Sequence, residues 1–515
     1  MTTALWLILA AIVIYIIMLL FTGFKVADKN KTSSDFFLGG RSLGPLVTAM
    51  SAEASDMSGW LLMGLPAVAM MGGLAEATWT AIGLAIGTYL NWLIVAKRLR
   101  IYSHKIDAFT IPDFFAKRFG DKKKILTTVA ALIIIVFFIP YTASGFAACG
   151  KLFSSLFGMD YMLAMVISAA VIIIYCTLGG FLAASTTDFI QSIVMTIALF
   201  VVIGFSEGLV NGFENVFANV ASLEGFTDLF RGHDVVNGVA TSYGALPVAS
   251  TLAWGLGYFG MPHILLRFMG IADENKLKTS RRVASVWVVI SMGVAILIGV
   301  VGYSLMKNGI LPQYESASAA ETIIVDIAKY LSNYGWIAAF TGGIILAGIL
   351  ASTMSTADSQ LLAAASSISQ NLVQETFGVK LSPKKSILFA RLSVIAISIV
   401  AIFLARDPDS SVFRIVSFAW AGFGAAFGPI VLLALFWKRT NKYGAIAGMI
   451  SGGAVVFIWK FVVRTAFAGT WLDIYELLPA FIVGLIVTVV VSLLTKAPEQ
   501  EITDEFDAVK EIMKA

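Results

Sequence analysis

The chain has 515 residues, 58% of them hydrophobic and 13% charged, with a mean hydropathy of +0.87; a soluble domain exposing that much apolar surface would aggregate. The apolar stretches are continuous rather than alternating, which excludes an outer-membrane barrel and leaves an all-α membrane protein. The net charge of +4 comes without the clustered basic face that nucleic-acid binding needs.

Taken in order, apolar segments run over 5–24, 44–70, 74–96, 125–156, 161–182, 187–206, 238–266, 283–306, 336–368, 386–404, 412–437, 443–463 and 475–495. Each is close to the ~20 residues that cross a bilayer as a helix, so about thirteen spans are expected. The first lacks a basic flank and a small-residue cleavage site and reads as a retained span. Lys and Arg then alternate between loops as the positive-inside rule requires. Lys25, Lys29, Lys31 and Arg41 make the first loop cytoplasmic, as do the nine basic residues between Lys97 and Lys124, and Lys276, Lys278, Arg281 and Arg282 after the seventh segment. The loop from Glu207 to Val239 carries only Arg231 among five acids and falls outside. The N-terminus is therefore expected outside and the acidic tail, "KAPEQEITDEFDAVKEIMKA", in the cytoplasm as a short solvated helix without an assigned role.

Two segments are interrupted in a comparable way. The second contains "SAEASDMSGWLLMGLP", with Glu53 and Asp56 at membrane depth and Pro66 beyond. An acid there costs at least ~2.5 kcal/mol and usually faces a cavity or a partner, which makes Asp56 a candidate functional residue. The seventh contains "LAWGLGYFGMPHILLRFM", with Gly255, Gly257, Gly260 and Pro262 within eight positions. Clustered helix breakers in two corresponding spans point to an inverted-repeat transporter with its site at the midplane, where unwound carbonyls serve a hard cation such as sodium. Ala54 and Met57 flank the first break; a bare structural kink is the alternative for any one Gly or Pro.

Two further spans supply candidates. In the fourth, Tyr141 follows Pro140, and with Trp254, Tyr258 and Phe259 of the seventh it offers aromatic walls for a small, partly apolar solute, although aromatic residues in spans also serve packing. In the ninth, "LAGILASTMSTADSQLLAAASS" places Ser352, Ser355, Thr356 and Ser359 on one helical face beside Asp358; small polar residues also pack helices together. "GFAACGK", ending at Lys151, imitates a Walker A but has Leu152 where Ser or Thr is required. The three histidines are scattered, Cys149 and Cys176 lack disulfide or metal spacing, and no set of catalytic side chains marks an enzyme.

"SDMSGWLLMGLP", "LNWLIVAKRLRIYSHK", "WGLGYFGMPHILLRF" and "LASTMSTADSQLL", in that order, closely resemble the sodium/solute symporters, and among them the bacterial sodium/proline symporters, from about Phe36 to Arg439. The resemblance implies thirteen helices and the five-plus-five inverted-repeat fold of the bacterial leucine transporter. It divides the chain into a first helix and loop (1–40), two repeats (41–210 and 211–440), two peripheral helices (441–495) and a tail (496–515). It implies sodium bound by the carbonyls of Ala54, Met57 and Ser352 and the hydroxyls of Ser355 and Thr356, with Asp56 as the nearby acid. Substrate positions would be Ser58, Gly59, Tyr141, Trp254, Tyr258 and Pro262. Arg41 and Asp188 match polar positions on the cytoplasmic side, and Asp188, Asp358 and Ser359 match a second cation or proton site, with Asp358 facing a basic partner such as Arg391 as the alternative. Glu53 and Asp358 depart from the family pattern, which has a small or neutral residue and a hydroxyl residue there. The implied function is sodium-coupled uptake of L-proline by a monomer in the bacterial cytoplasmic membrane; another small solute such as a betaine or another amino acid, and a passive channel, are the alternatives.

Overall fold

A computed structural model describes residues 2–27 and 32–514; Lys29 and Lys31, counted above for the first loop, lie outside the described residues. Ten helices are long and apolar enough to cross a membrane among them, from Thr3–Val26 to Leu477–Leu494. The other three expected segments are interrupted or short. The second is a helix over Pro45–Asp56, a π-helical turn over Trp60–Gly64 and a helix over Leu65–Gly72. The fifth is the apolar helix Tyr161–Thr177. The seventh is a helix over Ala245–Leu252, a 3₁₀ stretch over Ala253–Gly260 and a helix over Pro262–Gly270.

Boundaries shift where local chemistry outweighs hydropathy. The fifth and sixth spans have no loop between them; Gly180, at φ 65° and ψ −174°, makes the reversal alone, a backbone state that only glycine reaches cheaply. The seventh span starts at Ala245, because Val239–Ser242 is taken up in an antiparallel hairpin with Arg231–Asp234. The tail does form a helix, Gln500–Lys514. It is docked rather than free: Phe506 lies under the guanidinium groups of Arg98 and Arg118.

The ninth span (Trp336–Ser366) is the central post, buried along most of its length and packed on the first, fourth and sixth. Large apolar side chains such as Ile14, Ile17 and Phe21 of the first span and Val286 and Val289 of the eighth point outward, as hydrocarbon contact requires. Lys151, the end of the false Walker A, is buried and paired with buried Glu321 at 2.6 Å. Glu321 also accepts the Ser411 hydroxyl and the Val412 and Phe413 amides, capping the eleventh span.

Candidate functional site

The second span loses its helical course at Met57, whose ψ of 68° leaves the α region while its N–H still reaches the Glu53 carbonyl. Ser58 N then turns back onto the Asp56 carbonyl at 2.8 Å. That carbonyl also accepts from Trp60 Nε1 at 3.1 Å and from the Tyr141 hydroxyl at 3.2 Å. One residue supplies both ends of the junction, because the Asp56 carboxylate accepts the Tyr258 hydroxyl at 2.7 Å. Its second oxygen, Oδ1, is buried without a hydrogen-bond partner among the described residues. A buried carboxylate oxygen left open costs free energy unless a cation or a ligand amine takes it.

Just below, the ninth span meets the break. Ser355 Oγ donates to the Ala54 carbonyl at 2.7 Å and lies 3.2 Å from the Ser352 carbonyl, to which Thr356 Oγ1 donates at 3.1 Å. Ala54, Ser352, Ser355 and Thr356 therefore present two carbonyls and two hydroxyls at hydrogen-bond spacing in a fully buried place. Met57, the fifth residue of the expected set, is the turn residue three positions on. Neutral hard oxygens in this number suit a monovalent hard cation.

Of the positions expected for the solute, Tyr141 and Tyr258 reach Asp56 itself. Trp254 is walled by Trp60, Phe413, Trp420 and Tyr475, with ring centroids 5.1 to 6.4 Å away. Tyr258 stands edge-on to Trp420 at 5.0 Å. Pro262 opens the inner half of the seventh span. Gly59 is needed for packing, since a Cβ there would lie 2.9 Å from Ala148 Cβ. Trp254 also floors a cavity of about 510 Å³, rimmed by Glu76, Arg414, Lys460 and Glu476 on the side of the β-hairpin.

The opposite, basic end is closed. Leu43 and Ile271 form a parallel backbone bridge between the strand entering the second span and the one leaving the seventh. Arg41 spans the same gap, donating to the carbonyls of Met269, Ser103 and Ala108.

Residues 36–452 match the sequence model of the Sodium:solute symporter family. The chain belongs to that family. It is 40% identical over 510 residues to the osmoregulated proline transporter OpuE of Bacillus subtilis (strain 168), covering 98% of this chain and 99% of the relative. It is 43% identical to a sodium/proline symporter of Haemophilus influenzae, covering 97% of each. Its fold matches a Na+-coupled sialic acid symporter in a substrate-bound outward-open state, with a TM-score of 0.76 at 17% identity over 96% of this chain and 99% of that one. The chain is thus a multi-pass membrane transporter of the sodium-coupled class.

In this symporter the positions read as a second cation site hold an arginine. Arg267, fully buried on the inner half of the seventh span, donates from Nη2 to Asp188 Oδ2 at 3.1 Å and to Ser359 Oγ at 2.5 Å, and from Nε to Ser51 Oγ at 3.0 Å. Ser51 in turn donates to Asp188 at 2.7 Å, and Ser359 to Asp358 at 3.0 Å. Arg391, the partner expected for Asp358, shares no hydrogen bond or ion pair with it among the described residues. Arg267 sits inside "HILLRF", one helical turn after His263, and its only signal in the sequence is a lone basic residue in an apolar run. Glu53 also has partners that its neighbours in sequence do not reveal: Thr88 and Trp92 of the third span both donate to its Oε1.

Proposed function

We propose that this symporter carries L-proline inward with sodium across the bacterial cytoplasmic membrane by alternating access. The observation that carries the reading is the single unwound turn at Asp56, shared by an oxygen set on one side (Ala54, Met57, Ser352, Ser355, Thr356) and an aromatic set on the other (Tyr141, Trp254, Tyr258, with Ser58, Gly59 and Pro262). Sodium binds the oxygens. The solute's ring lies against Trp254 and Tyr258 and its charged groups meet Asp56 Oδ1 and the dipoles of the two breaks. The full-length relatives named as proline transporters support the choice of solute.

The two breaks support residues 41–210 and 211–440 as the inverted repeats, with 441–495 peripheral. The basic loops support a cytoplasmic location for the closed end and for the tail, and an external N-terminus and hairpin. The solute then enters through the cavity above Trp254 and leaves once the Leu43–Ile271 bridge and the Arg41 contacts open. Arg267 supplies, between Asp188 and Ser359, the positive charge for one of the two buried acids there, which supports one sodium per proline; Asp358, whose Oδ2 has no hydrogen-bond partner among the described residues, is where a second cation would have to bind.

Labelled L-proline uptake into vesicles tests this. Uptake is expected to require an inward sodium gradient and to be competed by unlabelled proline; a betaine or another amino acid competing better would replace the solute, and uptake unaffected by sodium would remove the coupling.

A further inference from the structure

The third span, Leu74–Lys105, has features that the transport site does not use. Gly83 and Gly87 let it lie backbone to backbone on the seventh: a Cβ at Gly83 would stand 2.7 Å from the Leu252 carbonyl oxygen, and one at Gly87 would overlap the Gly255 backbone. One turn later a π-helical turn, Asn91–Val95, is closed by the Ala96 N–H on the Asn91 carbonyl. Isolated π turns inside α-helices recur at functional sites.

Two adjacent residues of this turn reach the two broken spans. Asn91 Nδ2 donates to the Tyr258 carbonyl at 2.9 Å, in the 3₁₀ stretch whose tyrosine hydroxyl touches Asp56. Trp92 Nε1 donates to Glu53 Oε1 at 2.8 Å, joined by Thr88 at 3.0 Å. The Trp92 ring also packs on Phe268 of the seventh span, centroids 4.5 Å apart. Glu53 precedes Ala54, whose carbonyl meets Ser355, and the Glu53 carbonyl takes the N–H of the turn residue Met57. Glu53, Thr88, Asn91 and Trp92 are all buried.

We propose that this π turn couples the sodium site to the solute site: Asn91 sets the position of Tyr258, Trp92 sets that of Glu53 and hence of the Ala54 carbonyl, and ordering either broken span orders the other through the third. Asn91 and Trp92 are positioning residues and touch neither cargo. The proposal rests on the sites assigned under the proposed function. Coupling of two ligands is a reciprocal change in affinity and needs a physical element that both sites bias; the third span, through its buried Thr88, Asn91 and Trp92, is bonded to both breaks within about one turn of its own length.

The test measures the proline dissociation constant of the purified transporter in lipid nanodiscs at low and at saturating sodium; their ratio is the coupling factor. Trp92→Phe keeps the ring on Phe268 and deletes only the N–H, and Asn91→Ala deletes the donor to Tyr258. Each is expected to lower the coupling factor by roughly 2- to 10-fold, the effect of one buried hydrogen bond, with proline affinity at low sodium close to that of the parent. The double variant loses little more than the larger single one, because both act through one turn. A packing role alone would lower thermal stability and leave the ratio intact. Ser355→Ala is the control for the sodium site: if it keeps the parent ratio, the site and the proposal fall together. If Ser355→Ala loses the ratio while Trp92→Phe and Asn91→Ala keep it, only the coupling role is overturned. Should Asn91→Ala fail to reach the membrane, Trp92→Phe and Thr88→Val decide the same question in the same assay.

Discussion

At Asp56 the backbone and the side chain serve different partners. The carbonyl is tied to Trp60 and Tyr141, the carboxylate to Tyr258, and one carboxylate oxygen is left open. The neighbouring oxygen set includes two hydroxyls, and Ser355→Ala or Thr356→Ala removes a proposed sodium ligand without adding bulk. An interaction with a charged group is worth about 1.5–3 kcal/mol, so either change is expected to raise the sodium concentration for half-maximal proline uptake by roughly 10-fold or more, read from uptake against sodium at fixed proline. Tyr258→Phe deletes the hydroxyl on Asp56 and keeps the ring beside Trp420. It is expected to weaken proline binding by a similar factor at saturating sodium, measured by competition binding, with the protein inserted normally. These residues were legible before folding because an acid, a glycine cluster and a hydroxyl stripe inside apolar runs are anomalies of local composition. The partners of Glu53 were not, because Thr88 and Trp92 lie 35 and 39 residues away in another span.

At the level of elements, small residues decide which helices can touch. The 3₁₀ stretch of the seventh span presses on the eleventh so closely that a Cβ at Gly257 would overlap the Trp420 indole, whose Nε1 donates to the Trp254 carbonyl at 2.7 Å. Gly257→Ala must displace that ring; overpacking of this kind costs about 1–3 kcal/mol, and a lower unfolding temperature in detergent together with lost proline binding is expected. The hairpin end is stitched differently, by the Lys151–Glu321 pair beneath the cap of the eleventh span. Lys151→Met leaves a buried carboxylate uncompensated, a loss of about 3–5 kcal/mol. Adding Glu321→Gln removes the stranded charge and, with its oxygen at the Oε1 position, keeps the acceptor for Ser411 and Phe413 while losing the one for Val412, so thermal unfolding should recover part of the loss in the double variant.

For the whole molecule, the Leu43–Ile271 bridge at the basic end and the cavity above Trp254 at the other are the two gates of the proposed pathway, the sodium gradient would drive the direction of travel, and Arg267 bears on the proposed coupling charge. With Arg267 between Asp188 and Ser359, one net charge should cross per proline, measured as current against labelled flux in reconstituted vesicles; a ratio of two that falls to one in Asp358→Ser would instead make the Asp188–Asp358 cluster a second cation site. One sodium moving down ~100 mV gains ~2.3 kcal/mol and a tenfold gradient adds ~1.4 kcal/mol, so proline accumulation of a few hundredfold is expected. The sequence by itself determined the membrane class, the apolar segments, the two breaks and the hydroxyl stripe, because hydropathy, helix breaking by Gly and Pro, and helical spacing are properties of short stretches. Only the tertiary structure decided that Asp188 pairs with Arg267, 79 residues on, that Lys151 pairs with Glu321, 170 residues on, and that the fifth and sixth spans turn on Gly180 alone. Such pairings depend on how each helix is rotated and how closely its small residues let a neighbour approach, and neither is written in any single segment.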